Sequence, residues 1–256
     1  MNIQLWAIAL NVWRESVRDR VLHVLIGSGI FFMGLSLIMG QMAVGGMERV
    51  IQSMCFWVMG IWGLIAVIYI GSRIVKQEIK QKTVYLILSR PLNRITFLMG
   101  KYLGVCLVLC SLHLVLLLVC TILFMSKGIQ IDGIYFTAMF FILIEWVLLA
   151  SFSLFFAAFT SPILHNFFLV GVSFLGHWSN DLRIFSEKST NDLLKVFLKT
   201  IYYILPNLES INFKAAAMYH TALPVSILVE GFIVFLLWLC TMLIASNLIF
   251  FRRKVV

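Results

Sequence analysis

Residues 102–125 read YLGVCLVLCSLHLVLLLVCTILFM, without one Asp, Glu, Lys or Arg. As an α-helix this run is about 36 Å long, enough to cross a hydrocarbon core of about 30 Å. It has no polar stripe to turn toward water, so it suits lipid or a deep core and not a surface. Similar runs recur at 21–39, 51–72, 134–159, 161–178 and 225–251. The fifth is the most interrupted, by Pro162, His165, Asn166 and Ser173, and only Ser161-Pro162 separates it from the fourth. We read the two as a tight hairpin, with one broken helix as the alternative. The fold class is therefore an all-α polytopic membrane protein of six transmembrane helices, forming a single domain over 1–256.

Composition agrees. Of 256 residues 62% are apolar and 12% charged, against about 45–50% and about 25% in soluble domains. A soluble fold of this length cannot bury so much hydrocarbon, and the mean hydropathy of +1.01 points the same way. Soluble enzyme, disordered chain, collagen and coiled coil are excluded. The net charge of +9 sits in short segments between apolar runs, where Lys and Arg set topology and meet anionic headgroups. No basic patch interleaves with aromatics as a nucleic-acid groove requires. Cys55, Cys106, Cys110, Cys120 and Cys240 all lie inside apolar runs and form no CxxC pair. They read as small hydrophobes, with no disulfide framework and no metal site.

Charge asymmetry orients the chain. With the N-terminus inside, the inner segments hold Arg14, Arg18 and Arg20, then Arg73, Lys76, Lys80, Lys82, Arg90, Arg94 and Lys101, then Arg252, Arg253 and Lys254. The outer segments hold Arg49, Lys127 and five cations in the long stretch 179–224, which weigh little in so long a segment. Both termini are expected in the cytoplasm of a cell (inner) membrane protein.

Residues 1–20 form an amphipathic connector helix, with Leu5, Ile8, Ala9, Val12, Trp13 and Ser16 on one face and Asn11, Arg14, Glu15 and Arg18 on the other. Such a helix is expected in the headgroup plane. The run after it exceeds the 7–15 residues of a signal-peptide core, which favours an uncleaved anchor. Outside the membrane, Leu193, Leu194, Phe197, Leu198, Ile201, Ile204 and Leu205 recur at helical spacing until Pro206. A second short helix is expected over 211–220. The pair reads as a helical cap, interfacial or re-entrant.

The inner segment 73–101, RIVKQEIKQKTVYLILSRPLNRITFLMGK, is too long for a simple turn. The spacing predicts one helix over 76–89, a stop at Arg90-Pro91, and a second helix from Asn93 or Arg94 into the third span. Gly100 and Gly104 form a small-xxx-small pair that allows close packing. Glu78, Lys82-Thr83, Leu86, Leu88-Ser89-Arg90-Pro91 and Arg94-x-x-Phe97-Leu98-x-Gly100-Lys101 resemble the cytoplasmic loop of type-2 ABC exporter permeases. Arg14-Glu15-Ser16-Val17-Arg18-Asp19-Arg20, and Leu205-Pro206-Asn207-Leu208 followed by Phe213, are similar to the branch near copper-enzyme-maturation and gliding-motility permeases. The resemblance implies a permease subunit whose coupling helix, with Glu78, Lys82, Thr83, Leu86, Ser89, Arg90 and Pro91, docks on a separate ABC-type ATPase. It also implies a second permease subunit. This chain would bind no cofactor, with ATP and Mg²⁺ used by the partner.

No HExxH, GxSxG or phosphate-binding GxxxxGK[ST] pattern exists in the chain, so it is not expected to be an enzyme itself. Glu145 and His113 stand near the middles of the fourth and third spans. Ionisable residues at that depth line a path or pair with neighbouring helices. Two other readings stand beside the permease: a membrane adaptor through which an ATPase acts mechanically, and an intramembrane enzyme using Glu145 and His113.

Overall fold

The structure is a computed structural model that describes residues 2–43, 45–81, 94–189 and 191–252. Among these residues are ten α-helices, one 3₁₀ turn and no strand. They are α1 (Asn2–Val17), α2 (Arg20–Met42), α3 (Met47–Gln81), α4 (Arg94–Ser126), α5 (Gly133–Ala157), α6 (Pro162–His177), α7 (Ser179–Lys188), α8 (Asp192–Ile204), the 3₁₀ turn Leu208–Ile211, α9 (Lys214–Met218) and α10 (Val225–Arg252). Five of them, α2, α3, α4, α5 and α10, are long and apolar enough to cross a membrane. This is a multi-pass membrane protein. The apolar α6 has only 16 residues, about 24 Å of helix, which is short of a full crossing.

The core is built around α5, in which sixteen of 25 residues are buried. Its start is capped by Asp132, whose side chain accepts from the Tyr135 backbone N–H at 3.0 Å. On one side α3 comes in through glycines. A Cβ at Gly63 would stand 1.9 Å from the Trp146 ring, and one at Gly71 1.9 Å from Ser153 Oγ. From another side α4 contributes Tyr102, whose hydroxyl donates to the Val147 carbonyl at 3.0 Å, and Thr121, 2.9 Å from the Tyr135 hydroxyl. The outermost layer is α2, fixed by Trp62 Nε1 donating to Leu25 O at 2.9 Å. Along α10, Gly231 meets Ser210 and Phe141, while the Trp238 ring lies 5.8 Å from Phe152. The two helices therefore run in the same direction.

Four residues, 158–161, join α5 to α6, and Ser153 Oγ lies 3.0 Å from His165 Nε2. The helices fold back as a hairpin, and the broken-helix alternative is set aside. The connector α1 takes the small-residue groove of α4: a Cβ at Gly100 would strike Ile8 and Leu5, and one at Gly104 would strike Val12 and Ala9. Both partners advance together, so α1 runs alongside the first turns of α4, a contact that amphipathicity alone does not disclose. The inner segment also differs from a separate helix over 76–89, since α3 continues unbroken through Arg73 to Gln81. On the outer side the second short helix divides into the 3₁₀ turn and α9, and α7 is an additional element.

These contacts predict a contrast between two glycines. Gly63→Ala drives a methyl group into the Trp146 ring and should cost about 3 kcal/mol or more, the upper end of overpacking penalties. Gly27, with nothing within 4 Å of its would-be Cβ, should accept alanine with little change. Thermal unfolding of both variants in detergent checks this.

Candidate functional site

Glu145 is the thirteenth of the 25 residues of α5 and is only 3% exposed. A carboxylate at that depth must be paired or protonated. Two basic side chains reach it from the segments on either side of α7 and α8. His177, the last residue of α6, places Nε2 3.4 Å from Oε1, and Lys214, the first residue of α9, places Nζ 3.8 Å from Oε2. Lys214 passes α3 at Gly60, where even a methyl group would stand 3.3 Å from Nζ.

The hydrogen bonds count the protons. His177 Nδ1 lies 2.9 Å from the Ser173 carbonyl oxygen. A carbonyl only accepts, so Nδ1 donates. Nε2 then faces Glu145 Oε1, and two acceptors would repel there unless a proton lies between them. The cluster is a proton-sharing pair with a lysine on the other carboxylate oxygen.

What holds Lys214 in place is a plug of outer chain packed into the bundle. Pro206 is buried, Leu208 is 0% exposed, and Ile211, Phe213 and Ala217 are buried beside it. Leu208 packs on Gly176, where a Cβ would come within 2.7 Å. The Phe213 ring lies edge-on to Phe141, centroids 4.6 Å apart. Asn207 ties the plug together, its Oδ1 accepting from Ser179 Oγ at 2.6 Å and from the Ser210 N–H at 3.2 Å. Residues 206–218 are thus packed into the bundle, whereas α8 has no buried residue. Beyond the plug, His220 Nδ1 lies 2.8 Å from Asp132 Oδ2, and Arg49 stacks over Tyr219. Burial pushes the Asp132 carboxyl upward, but the His220 hydrogen bond and backbone donors outweigh it and hold the group below its ordinary value.

His113 is buried but does not meet Glu145. Its ring stands edge-on to Trp146, centroids 5.1 Å apart, and His113 Nδ1 and Trp146 Nε1 both lack a hydrogen-bond partner among the described residues. An enzyme built on Glu145 and His113 gains no support from this arrangement. Among the described residues no group of three or more His, Cys, Asp or Glu is placed to hold a metal ion.

A second polar cluster closes the opposite end of the bundle. Asp19 caps α2 through Val21 N–H at 3.1 Å and accepts from the Tyr69 hydroxyl and from Arg73 Nη1. Arg73 Nη2 lies 2.6 Å from Glu15 Oε1. The Tyr69 hydrogen bond, then the backbone donor and Arg73, hold the Asp19 carboxyl below its ordinary value against the upward push of burial.

Of the proposed docking residues, Glu78 lies on the last turn of α3, while Lys82, Thr83, Leu86, Ser89, Arg90 and Pro91 lie outside the described residues. The sequence does not single out His177, Lys214 or the Asp19–Arg73 pair. Lys214 counts there as one of five outer cations, and only its position just after Phe213 in the quoted motif sets it apart. Comparison of the chain with protein-family models and with curated proteins gives no match.

The two clusters make separate predictions. Glu145→Leu strands Lys214 and should cost about 3 kcal/mol or more, as when one partner of a buried ion pair is removed. Adding Lys214→Met should restore much of that loss, giving a large coupling in a double-mutant cycle of thermal unfolding. For Asp19 the folded-state value is depressed, so its stabilisation is complete above the unfolded value of about 3.9 and is lost as pH falls through the folded one. Asp19→Asn should therefore lower the Tm at pH 7, and its gap to the unsubstituted chain should close as pH is taken from 5 toward 3.

Proposed function

We propose that this chain is the membrane-spanning permease subunit of an ATP-binding-cassette transporter of the export type. A separate ATPase supplies the energy, and a second permease subunit completes the path. The observation that carries this reading is the length and continuity of α3. Its 35 residues make a helix of about 52 Å, against about 30 Å of hydrocarbon. Its apolar part ends at Arg73, so the last two turns, with Lys76, Glu78 and Lys80, stand beyond the membrane as a rigid extension. The chain returns at Arg94 directly into α4, which carries α1 in its glycine groove. A push on residues 82–93 is thus delivered to two spans through helix and not through loop. An ATPase whose two halves close on nucleotide needs such a lever.

In this reading the chain crosses the membrane six times, with both termini in the cytoplasm. The fifth crossing is α6, extended outward by the chain from Trp178 and roofed by residues 205–218. The exposed apolar faces of α2 and α10 are left for lipid and for the second subunit. Glu145, His177 and Lys214 lie where the outer plug meets the bundle, so a path opening to the outside would have to move that plug.

The test is association. Co-expressed with the ATP-binding-cassette protein encoded at its own locus, the chain should purify as a two-plus-two assembly that turns over ATP. Glu78→Ala with Leu86→Asp should cut the co-purified ATPase by about thirtyfold in affinity, the equivalent of about 2 kcal/mol at a small docking surface, while membrane insertion is kept. Labelling should find Lys82 and Arg253 inside and Lys195 outside. A chain that never binds an ATPase, or that hydrolyses ATP alone, refutes the proposal.

A further inference from the structure

The plug leaves α8 unexplained. None of its residues is buried, yet it is the most sharply two-sided helix in the molecule. At 100° per residue Leu193, Leu194, Phe197, Leu198, Ile201 and Ile204 fall within an arc of about 140°. Opposite them stand Asp192, Lys195, Lys199 and Tyr203, with Thr200 and Tyr202 at the flanks and Val196 the one aliphatic side chain on that side. Leu193, Leu194, Phe197 and Ile204 are all exposed, as is Phe185 on the neighbouring α7.

The roots of the α7–α8 hairpin decide what covers this arc. The first root is His177, held against Glu145 at the midpoint of α5. The second is Pro206 and Leu208, packed on Gly176 at the same depth. From Glu145 to Gly133, where α5 begins, is about 18 Å of helix, and the ten residues of α7 rise about 15 Å even when upright. Rooted at mid-depth on both sides, the hairpin cannot stand clear in the outer water. It begins and ends at the level of the outer lipid leaflet, where α7 packs on α6 and on the 3₁₀ turn and α8 packs on α7. Charges at Asp192, Lys195 and Lys199 forbid α8 the acyl region on that side, whereas its apolar arc requires it on the other. A helix that slopes from the root at Pro206 through the outer leaflet, with its apolar arc toward the acyl chains and its lysines reaching the headgroups, meets both demands, and Trp178, Tyr202 and Tyr203 supply aromatic residues common near that surface.

We infer that α8 is an outer-leaflet lipid anchor. It slopes from the root at Pro206 toward the surface with Leu193, Leu194, Phe197 and Ile204 among the acyl chains and Lys195 and Lys199 extended to the lipid headgroups. A protein partner or a second copy on the same arc is the competing occupant.

The test uses the full chain in nanodiscs of phosphatidylcholine and phosphatidylglycerol. A nitroxide is placed in turn at Leu194, Phe197, Lys195 and Lys199, in a background lacking the five native cysteines. At Leu194 and Phe197, collision with oxygen should exceed collision with a water-soluble nickel complex several-fold, and at Lys195 and Lys199 the order should reverse. Free access of the nickel complex to Leu194 and Phe197 would overturn the assignment. So would exclusion of both reagents there, which marks a protein contact. If the cysteine-free background fails to fold, benzoylphenylalanine at Leu194 or Phe197 in the unmodified chain answers the same question. Photolysis should attach lipid, and attachment to protein instead would refute the anchor.

Discussion

A carboxylate in the middle of a buried, membrane-depth helix has to find a cation, and the outer third of this molecule is arranged around that requirement. Glu145 draws the end of α6 from one side and the start of α9 from the other. Drawing them in forces the chain between them to leave and return at mid-depth, and that is why α6 stops after 16 residues. The space it leaves above itself is filled by Leu208, Ile211, Phe213 and Ala217. Desolvating the pair is expensive, and hydrogen bonds recover only part of that cost. Its value to the fold is positional: it fixes His177 and Lys214, and with them both ends of the plug, against one point on α5.

The same helix that admits the lysine also leaves the membrane on the other side. Along α3, Gly60 makes room for Lys214, Gly63 for Trp146 and Gly71 for Ser153 and His165. Small residues on one face let α5 approach closely enough for van der Waals contact to hold the pair together, which is the main source of helix association in lipid. Being rigid, α3 connects the depth of the buried charge to Gln81 without an intervening joint. In the proposed permease a displacement of that end would reach Gly60 and the plug.

The membrane-length helices were legible because an apolar run without charge has only one use, and the interruptions in 161–178 already marked the helix that proves too short. The groove at Gly100 and Gly104 was legible as a small-xxx-small pair, though its occupant was not. Sequence spacing placed α8 to within a residue, since Pro206 ends it. It could not place Lys214, because nothing within a few positions of that residue refers to Glu145, which lies 69 residues away. The Asp19–Arg73 contact is similarly non-local. α7 escaped notice because Asn180, Asp181 and Arg183 hide its few apolar residues. For the residues that would dock an ATPase, the sequence motif remains the sole argument.

The helix ends that meet near Arg73 and Gly100 differ in how firmly they are joined. Between α1 and α4 the contact is close: Gly100 and Gly104 have no room even for a methyl group, and dense packing of this kind is bistable at best and not continuously deformable. Between α1 and α3 the link is polar and partly wet, with Arg73 30% and Glu15 45% exposed in their side chains. Ion pairs at that exposure contribute little, because water competes for both partners. The Asp19 side of the junction is drier, with 17% of its side chain exposed, so the Tyr69 and Arg73 contacts on Asp19 hold α3 to the start of α2 more firmly than Glu15 holds it to α1. If the chain works as the proposed permease, a force carried along α3 would meet the stiff α1–α4 joint and would have to break the Arg73 contacts before α3 and α4 could part.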